Sequence, residues 1–147
     1  MIFEQLFDHK SSTYTYIISS GKGREALIID PVIENTNKYI KFLENLDLKL
    51  VKVIDTHIHA DHISGLNELS KRTKCSKIMG EESSSEVLDI RVKDNEKIKI
   101  ENIELISMYT PGHTDCSYSF FMKDRVFTGD TLSVSYTHLT LPTIYSV

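Results

Sequence analysis

Four side chains that bind metals in proteins fall within six consecutive positions of the sequence: His57, His59, Asp61 and His62. Successive side chains of an extended backbone point to opposite sides, so His57 and His59 are expected to point the same way. Asp61 and His62 come at the turn into the next predicted helix and can be aimed at a neighbouring point. Two imidazoles with a third from elsewhere make the usual nitrogen-rich site for zinc or iron. The cluster therefore predicts a metal site.

Two further candidate ligands, His113 and Asp130, follow later predicted strands. His113 comes after Pro111-Gly112 and Asp130 comes after Gly129, where turns would leave the side chains projecting from strand ends. A carboxylate there can bridge two metals or complete a mononuclear set. Alone, the aspartate could equally cap a helix, but beside the cluster a ligand role is favoured. Three neighbouring threonines either orient ligands by hydrogen bonds or simply belong to strand ends: Thr56, Thr114 and Thr131.

The elements that must hold these residues alternate between strands and helices. Apolar periodicity predicts strands over residues 2–7, 13–19, 25–30, 50–55, 97–100, 103–109, 118–122 and 125–127, a short strand at Ile78, and helices over 35–45 and 63–72. The first three strands are expected to form an antiparallel meander. The run LVKVID at 50–55 is typical of a strand inside a sheet, and it leads directly into the cluster. The order predicts a layered α/β domain.

Composition indicates a single globular domain. The 147 residues are 40% hydrophobic and 26% charged, which argues against disorder. A net charge of −4 gives no electrostatic basis for binding nucleic acid or an anionic membrane. With no signal-peptide pattern and no run long enough to cross a bilayer, a cytoplasmic location is expected. Cys75 and Cys116 are too few for a disulfide framework and are expected to be reduced, with Cys116 as a small buried side chain.

The last fifteen residues, 133–147, are interpreted separately. Residues 134–143 can be encoded by a transposase adapter used to prepare sequencing libraries, and the adapter's following index and terminal codons fit residues 144–147. The alternative is an ordinary β-rich terminus, given its Thr, Leu and Tyr content. The adapter reading is preferred, and it predicts that the native sequence of this chain stops at Leu132. The domain would then be residues 1–132, the tail would be non-native, and His138 would not be a ligand.

Three segments resemble the metal motifs of the metallo-β-lactamase superfamily, in the same order: THIHADH at 56–62, TPGHT at 110–114 and FTGDT at 127–131. Within that superfamily the chain is most similar to persulfide dioxygenases related to glyoxalase II. This narrower resemblance depends on FEQLFD near the start, SSTYTYII at 11–18, LIIDPV at 27–32 and HADHISG at 59–65. The resemblance implies an αββα sandwich, of which this chain would hold the N-terminal, metal-binding part.

The resemblance also implies an activity. One Fe(II) would be held by a facial triad of His57, His113 and Asp130 as the catalytic residues, with His59, Asp61 and His62 beside it. The implied reaction oxidises glutathione persulfide, with O₂ and water, to glutathione and sulfite. The expected partners are therefore a small-molecule thiol substrate and O₂, whereas the sequence says nothing about oligomeric state.

Two alternatives remain open. In a glyoxalase II-like thioester hydrolase with two zinc ions, one ion would be held by His57, His59 and His113, the other by Asp61 and His62, and Asp130 would bridge them. Water activated near neutral pH would then attack a glutathione thioester. The N-terminal segments favour the dioxygenase. Alternatively, the chain as written is an inactive fragment, because a truncated sandwich exposes strand edges and an apolar face, and the family's glutathione contacts follow the third motif.

Overall fold

The structure is a computed structural model, and it describes residues 1–112 and 114–129. The predictions made for His113, Asp130, Thr131, His138 and the segment 133–147 fall outside the described residues.

Six strands form the first sheet, neighbour by neighbour in chain order: β1 (Ile2–Asp8), β2 (Thr13–Ser19), β3 (Glu25–Ile29), β4 (Lys49–Ile54), β5 (Ser76–Gly80) and β6 (Ile90–Val92). The pairs β1–β2 and β2–β3 are antiparallel, which confirms the predicted meander. The strands from β3 to β6 run parallel to one another. Because β3, β4 and β5 are parallel, the residues that follow each of them meet at one edge of the sheet.

Four antiparallel strands form the second sheet: β7 (Lys97–Ile100), β8 (Ile103–Tyr109), β9 (Tyr118–Phe121) and β10 (Val126–Phe127), in the order β10–β9–β8–β7. The bounds of β7 and β8 are those predicted from the sequence. Isoleucine alternates with lysine in β7, so Ile98 and Ile100 are buried while Lys97 and Lys99 are exposed. This pattern is typical of a strand with one covered face.

The two sheets pack face to face over an inner core. Side chains from both sheets fill it, among them Ile18, Leu27, Ile54, Leu105, Phe120 and Phe127. Helices α1 (Thr36–Asn45) and α2 (Leu66–Thr73) cover the other face of the first sheet, where Tyr39 and Leu69 pack with Ile28 and Val53. Both faces of β3 and β4 are covered, so apolar residues do not alternate with polar ones there: β3 is apolar after Glu25, and Lys52 is the single charged residue within the run from Leu50 to Ile54. The described residues thus form three layers: helices, first sheet and second sheet.

Helix α2 begins three residues later than the sequence predicts, at Leu66 instead of Ile63. The preceding residues are held in an extended path against the end of β3. Ile63 accepts a hydrogen bond from the backbone of Ile33, Ser64 bridges Val32, and the backbone of Gly65 donates to Pro31. The prediction was wrong here because it rested on helical periodicity, which cannot detect these tertiary bonds.

Neither α-helix of the described residues is long and apolar enough to cross a membrane. Cys75 and Cys116 are both buried free thiols, as the sequence predicted.

Gly80, at the end of β5, packs directly against the second sheet. A Cβ atom at this position would lie 2.1 Å from the ring of Tyr118 at the start of β9. Tyr118 is fully buried, and its hydroxyl donates to the Glu82 carboxylate at 2.7 Å. The ring therefore cannot move aside without leaving its buried site and losing this hydrogen bond, so only glycine fits.

We predict that Gly80→Ala lowers the free energy of unfolding by about 1–3 kcal/mol, because the added methyl group overpacks a rigid contact. Urea denaturation followed by circular dichroism measures the change. Gly21→Ala is the matched control, since its Cβ would find no atom closer than 4.0 Å, and a change within about 0.5 kcal/mol is expected. Equal effects of the two substitutions would contradict the argument.

Candidate metal centre

The edge at which β3 and β4 end positions the predicted metal site. β3 is followed by Asp30 and β4 is followed by Asp55, Thr56 and His57. The second sheet reaches the same edge, because the backbone of Tyr118 donates to the carbonyl oxygen of Thr56 at 2.8 Å. Both sheets therefore fix the segment that carries the histidines.

Three imidazoles come together at this edge. The ring centroids of His57 and His59 lie 4.1 Å apart, and those of His59 and His62 lie 4.2 Å apart. All three side chains are shielded from solvent: His57 is 1% exposed, and the side chains of His59 and His62 are 4% and 3% exposed. The sequence-based grouping of these three residues agrees with their placement. Buried imidazoles at this separation are a suitable donor set for a transition metal.

The buried carboxylate of Asp30 organises the cluster. Its oxygens accept hydrogen bonds from the backbone of Thr56 at 2.8 Å and from the Thr56 hydroxyl at 2.9 Å. His59 Nε2 lies 3.1 Å from the same carboxylate. Burial opposes ionisation of Asp30, but His59 and the Thr56 hydrogen bonds outweigh it and hold the pKa of Asp30 below its usual range.

The sequence reasoning did not identify Asp30 as a functional residue. It lay within LIIDPV, which was used only as a mark of resemblance. Asp30 also has a left-handed backbone, with φ of 56°, which turns the chain sharply between β3 and Pro31. A charged residue closing a fully apolar strand was the available signal, because such a charge is buried only with partners.

These hydrogen bonds select which ring nitrogens could take a metal. His59 Nε2 faces the ionised Asp30 and donates its N–H to it, so Nδ1 is the nitrogen that could bind a metal when the ring is neutral. The Thr56 hydroxyl lies 2.9 Å from His57 Nδ1, so Nε2 is the metal-binding candidate in that ring. In His62, Nδ1 lies 3.1 Å from Asp61 Oδ1, while Nε2 is buried with no hydrogen-bond partner among the described residues. Burial, and then the neighbouring His59, lower the pKa of His62, which favours the neutral ring.

A second carboxylate, Asp55, faces the same nitrogen of His59 as Asp30 does. Its Oδ1 is 4.0 Å from His59 Nε2, and burial together with the charge of Asp30 raises the pKa of Asp55 well above its usual range. Ligand atoms of Asp30, Asp55 and His59 lie within 4.8 Å of one another, as do those of His59, Asp61 and His62. The second set contains only residues predicted from the sequence, and Asp61 is its exposed member, with 49% of its side chain accessible.

The described residues beside His113 and Asp130 in the sequence contact the cluster segment. The backbone N–H of Ile58, between two of the histidines, donates to Cys116 Sγ at 3.3 Å. Gly129 has φ of 55°, and a Cβ there would lie 2.3 Å from Thr56 Oγ1 and 3.4 Å from His57 Nδ1. Glycine is therefore required before Asp130 for two reasons, the backbone conformation and the close approach to Thr56.

A cleft of about 340 Å³ opens beside the cluster. Its walls include His59, His62 and apolar side chains from the segments around α2 and β5, namely Ile58, Ile63, Leu66, Met79 and Val87. Its volume is at the lower end of the range for small-molecule sites.

Comparison with known proteins gives a consistent family. A family model described as the metallo-beta-lactamase superfamily matches residues 10–145. The chain is 34% identical over 137 residues to "Persulfide dioxygenase ETHE1, mitochondrial" of Mus musculus, covering 91% of this chain and 54% of that protein. It is 35% identical over 124 residues to "Hydroxyacylglutathione hydrolase" of Pelagibacter ubique, covering 81% and 51%.

A similar solved structure is that of ETHE1 from Myxococcus xanthus, with a TM-score of 0.84 and 40% identity, covering 87% of this chain and 56% of that one. A metallo-beta-lactamase from Staphylococcus aureus superposes with a TM-score of 0.79 and 30% identity, covering 87% and 42%. These likenesses confirm the fold predicted from the three motifs. The chain spans about half the length of the curated relatives it matches.

We predict that Asp30→Ala weakens zinc affinity about 10–100-fold, the usual cost of removing an outer partner of a metal-binding histidine. Asp30→Asn should cost less, because the amide oxygen still accepts from Thr56 but carries no charge. Competition against a chelating dye measures both. Glu44→Gln, on the exposed face of α1, serves as the control and should bind like the unmodified protein. Wild-type affinity in Asp30→Ala would refute the organising role of this carboxylate.

Proposed function

Because the chain belongs to the metallo-β-lactamase superfamily, we propose that it carries the metal-binding half of a persulfide dioxygenase. The complete enzyme would oxidise glutathione persulfide, with O₂ and water, to glutathione and sulfite. The three oxygen atoms of sulfite balance one O₂ and one water. The observation that carries the proposal is the 34% identity to a protein of that name, which extends over 137 residues.

The described residues suit a resident metal ion. Three imidazoles converge, and His62 Nε2, a ring nitrogen that has no hydrogen-bond partner among the described residues, is buried with them. We propose that His57, His113 and Asp130 hold one Fe(II), with His59, Asp61 and His62 beside it. When bound, the ferrous ion would pass electrons from the persulfide sulfur to O₂ and offer open coordination positions for both.

The chain's own residues prepare the site for that chemistry. Asp30 and Thr56 fix the rings of His59 and His57, so little reorganisation is needed when substrate arrives. The near-complete burial of the three imidazoles excludes bulk water and strengthens every charge interaction within the cluster. Ile58 and Ile63 line the adjacent cleft and offer apolar contact to a small thiol.

A thioester hydrolase is the second candidate, and one feature of the site favours it. Ligand atoms of His59, Asp61 and His62 lie within 4.8 Å, so they offer donors for a second ion beside the first. The hydrolase reading assigns His57, His59 and His113 to one ion, Asp61 and His62 to the other, and Asp130 to both. The likeness to a hydroxyacylglutathione hydrolase supports this alternative.

Metal content and oxygen uptake separate the two candidates in the complete protein. The dioxygenase predicts one iron per chain and O₂ consumption that depends on glutathione persulfide. His57→Ala should lower that rate by more than the roughly 100-fold that loss of an outer partner costs, since a proposed ligand is removed. An oxygen electrode and elemental analysis give both readouts.

His9→Ala is the matched control, because His9 is an exposed histidine on the turn after β1, and its rate should equal that of the unmodified enzyme. Two metals per chain with cleavage of a glutathione thioester and no persulfide-dependent O₂ uptake would favour the hydrolase instead.

The interpretation of residues 133–147 has a direct test. We expect that amplifying the source DNA across the Leu132 codon, and sequencing it by a different library chemistry, gives a reading frame that continues into other residues. The 147-residue polypeptide alone is then expected to be poorly soluble or inactive. DNA that encodes SVSYTHLTLPTIYSV followed by a stop codon would contradict the adapter interpretation, and a soluble, iron-loaded, active product would contradict the fragment hypothesis.

A further inference from the structure

The turn between β1 and β2 carries a chain of hydrogen bonds that reaches His62. Asp8 Oδ2 accepts from the backbone N–H of Ser11 at 2.9 Å and from its hydroxyl at 2.6 Å. Ser11 Oγ lies 2.9 Å from Thr13 Oγ1, which lies 3.2 Å from His62 Nδ1. The other oxygen of Asp8 accepts from Asn35 Nδ2 at 3.1 Å, which anchors the carboxylate to the segment before α1.

The carboxylate of Asp8, at the end of this hydrogen-bonded series away from His62, determines which group donates in each hydrogen bond. The hydrogen bonds from Ser11 keep the pKa of Asp8 below its usual range, so at neutral pH it is ionised and can only accept. The single hydroxyl proton of Ser11 goes to that charged oxygen, which forms the shorter and stronger bond. The Thr13 proton then points back to Ser11, whose Oγ lies at 2.9 Å and whose carbonyl oxygen lies at 3.4 Å. The oxygen of Thr13 is left as an acceptor facing His62 Nδ1.

The surroundings of the His62 ring agree with this direction of hydrogen-bond donation, from His62 Nδ1 to Thr13. Asp61 Oδ1 lies 3.1 Å from the same Nδ1, so two acceptors face it. Nε2 is buried, and no residue in 1–112 or 114–129 forms a hydrogen bond with it. The side chain as a whole is 3% exposed. A protonated Nδ1 and a bare Nε2 satisfy every one of these contacts, whereas the opposite tautomer would bury an N–H that has no acceptor among the described residues and leave acceptors facing a lone pair.

We propose that Asp8, Ser11 and Thr13 are positioning residues that hold His62 as its Nδ1–H tautomer and direct the lone pair of Nε2 into the metal centre. The contact between Thr13 Oγ1 and His62 Nδ1 joins residues 49 positions apart. A local turn would be complete with Asp8 and Ser11 alone, so the step from Thr13 to His62 is what links the hairpin to the site.

This inference rests on the proposed function only for the chemical role of His62 Nε2. In the dioxygenase, this atom would be a hydrogen-bond acceptor facing the substrate thiol. In the hydrolase, it would be a ligand of the second ion. Both activities need the same tautomer, so the tautomer can be tested without deciding between them.

The test is nitrogen NMR of the metal-free, full-length protein labelled with ¹⁵N-histidine, which reports directly which ring nitrogen of His62 is protonated. His62 is assigned by its loss in His62→Gln. The unmodified protein should show Nδ1 protonated and Nε2 bare. In Thr13→Val, which removes the hydroxyl and keeps the shape, the ratio of Nδ1–H to Nε2–H tautomer should fall roughly two- to tenfold, the effect of one hydrogen bond. The fall is partial because Asp61 still accepts.

Thr13→Ser keeps the hydroxyl and should restore the original ratio, and Asp8→Asn, whose amide can donate to Ser11, should lower it. Lys10→Ala on the same turn is the control and should leave it unchanged. An unmodified protein with Nε2 protonated, or a Thr13→Val protein with an unaltered ratio, overturns the proposal. The first of these measurements needs no variant, so it stands even if Thr13→Val does not fold. Failure of the oxygen-uptake assay alone would count against the dioxygenase and not against the positioning residues.

Discussion

The site depends on one buried interaction, the acceptance of several hydrogen bonds by the carboxylate of Asp30. A charge removed from water is tolerated only when its lone pairs are satisfied, and Thr56 and His59 satisfy them here. The same bonds hold the segment after β4 against the end of β3 and orient the His59 ring. The energetic requirement of the carboxylate and the geometric requirement of the metal site are therefore met by the same atoms.

Thr56 extends this constraint to both sheets. Its hydroxyl contacts Asp30 and His57, its carbonyl oxygen accepts from the first residue of β9, and its side chain leaves no room for a Cβ at Gly129. A change in the distance between the two sheets would therefore shift the imidazole rings. Proteins with such shared contacts place their ligands on rigid elements, which favours pre-organisation.

Much of the framework follows from the sequence, because alternation and apolar runs report directly on covered faces. The hairpin of β7 and β8 was predicted residue for residue, and β4 was predicted to lie within a sheet and to lead into the histidines. Strand β6 was missed because it has only three residues and Ile90 and Arg91 are exposed, so no pattern distinguishes it from a loop. The late start of α2 comes from backbone bonds to the end of β3, which periodicity does not encode.

The cluster of histidines was predictable from the sequence, but the residues that orient the histidines were less so. His57, His59 and His62 were grouped from spacing alone, whereas Asp30 and Thr13 act across long stretches of sequence and lie in segments that served only as marks of resemblance. The assignments of His113 and Asp130 remain predictions from the motifs.

The parallel arrangement of β3 and β4 has a consequence for synthesis of the chain. Thr13, Asp30, Thr56 and Asp61, the partners described for the three imidazoles, all precede residue 65. A ribosome releases these segments before any strand of the second sheet, so these partners are already present in the nascent chain when that sheet is made. Because a domain generally folds as a unit, and Thr56 also contacts β9 and Gly129, we expect the orienting contacts to become fixed only when the second sheet packs.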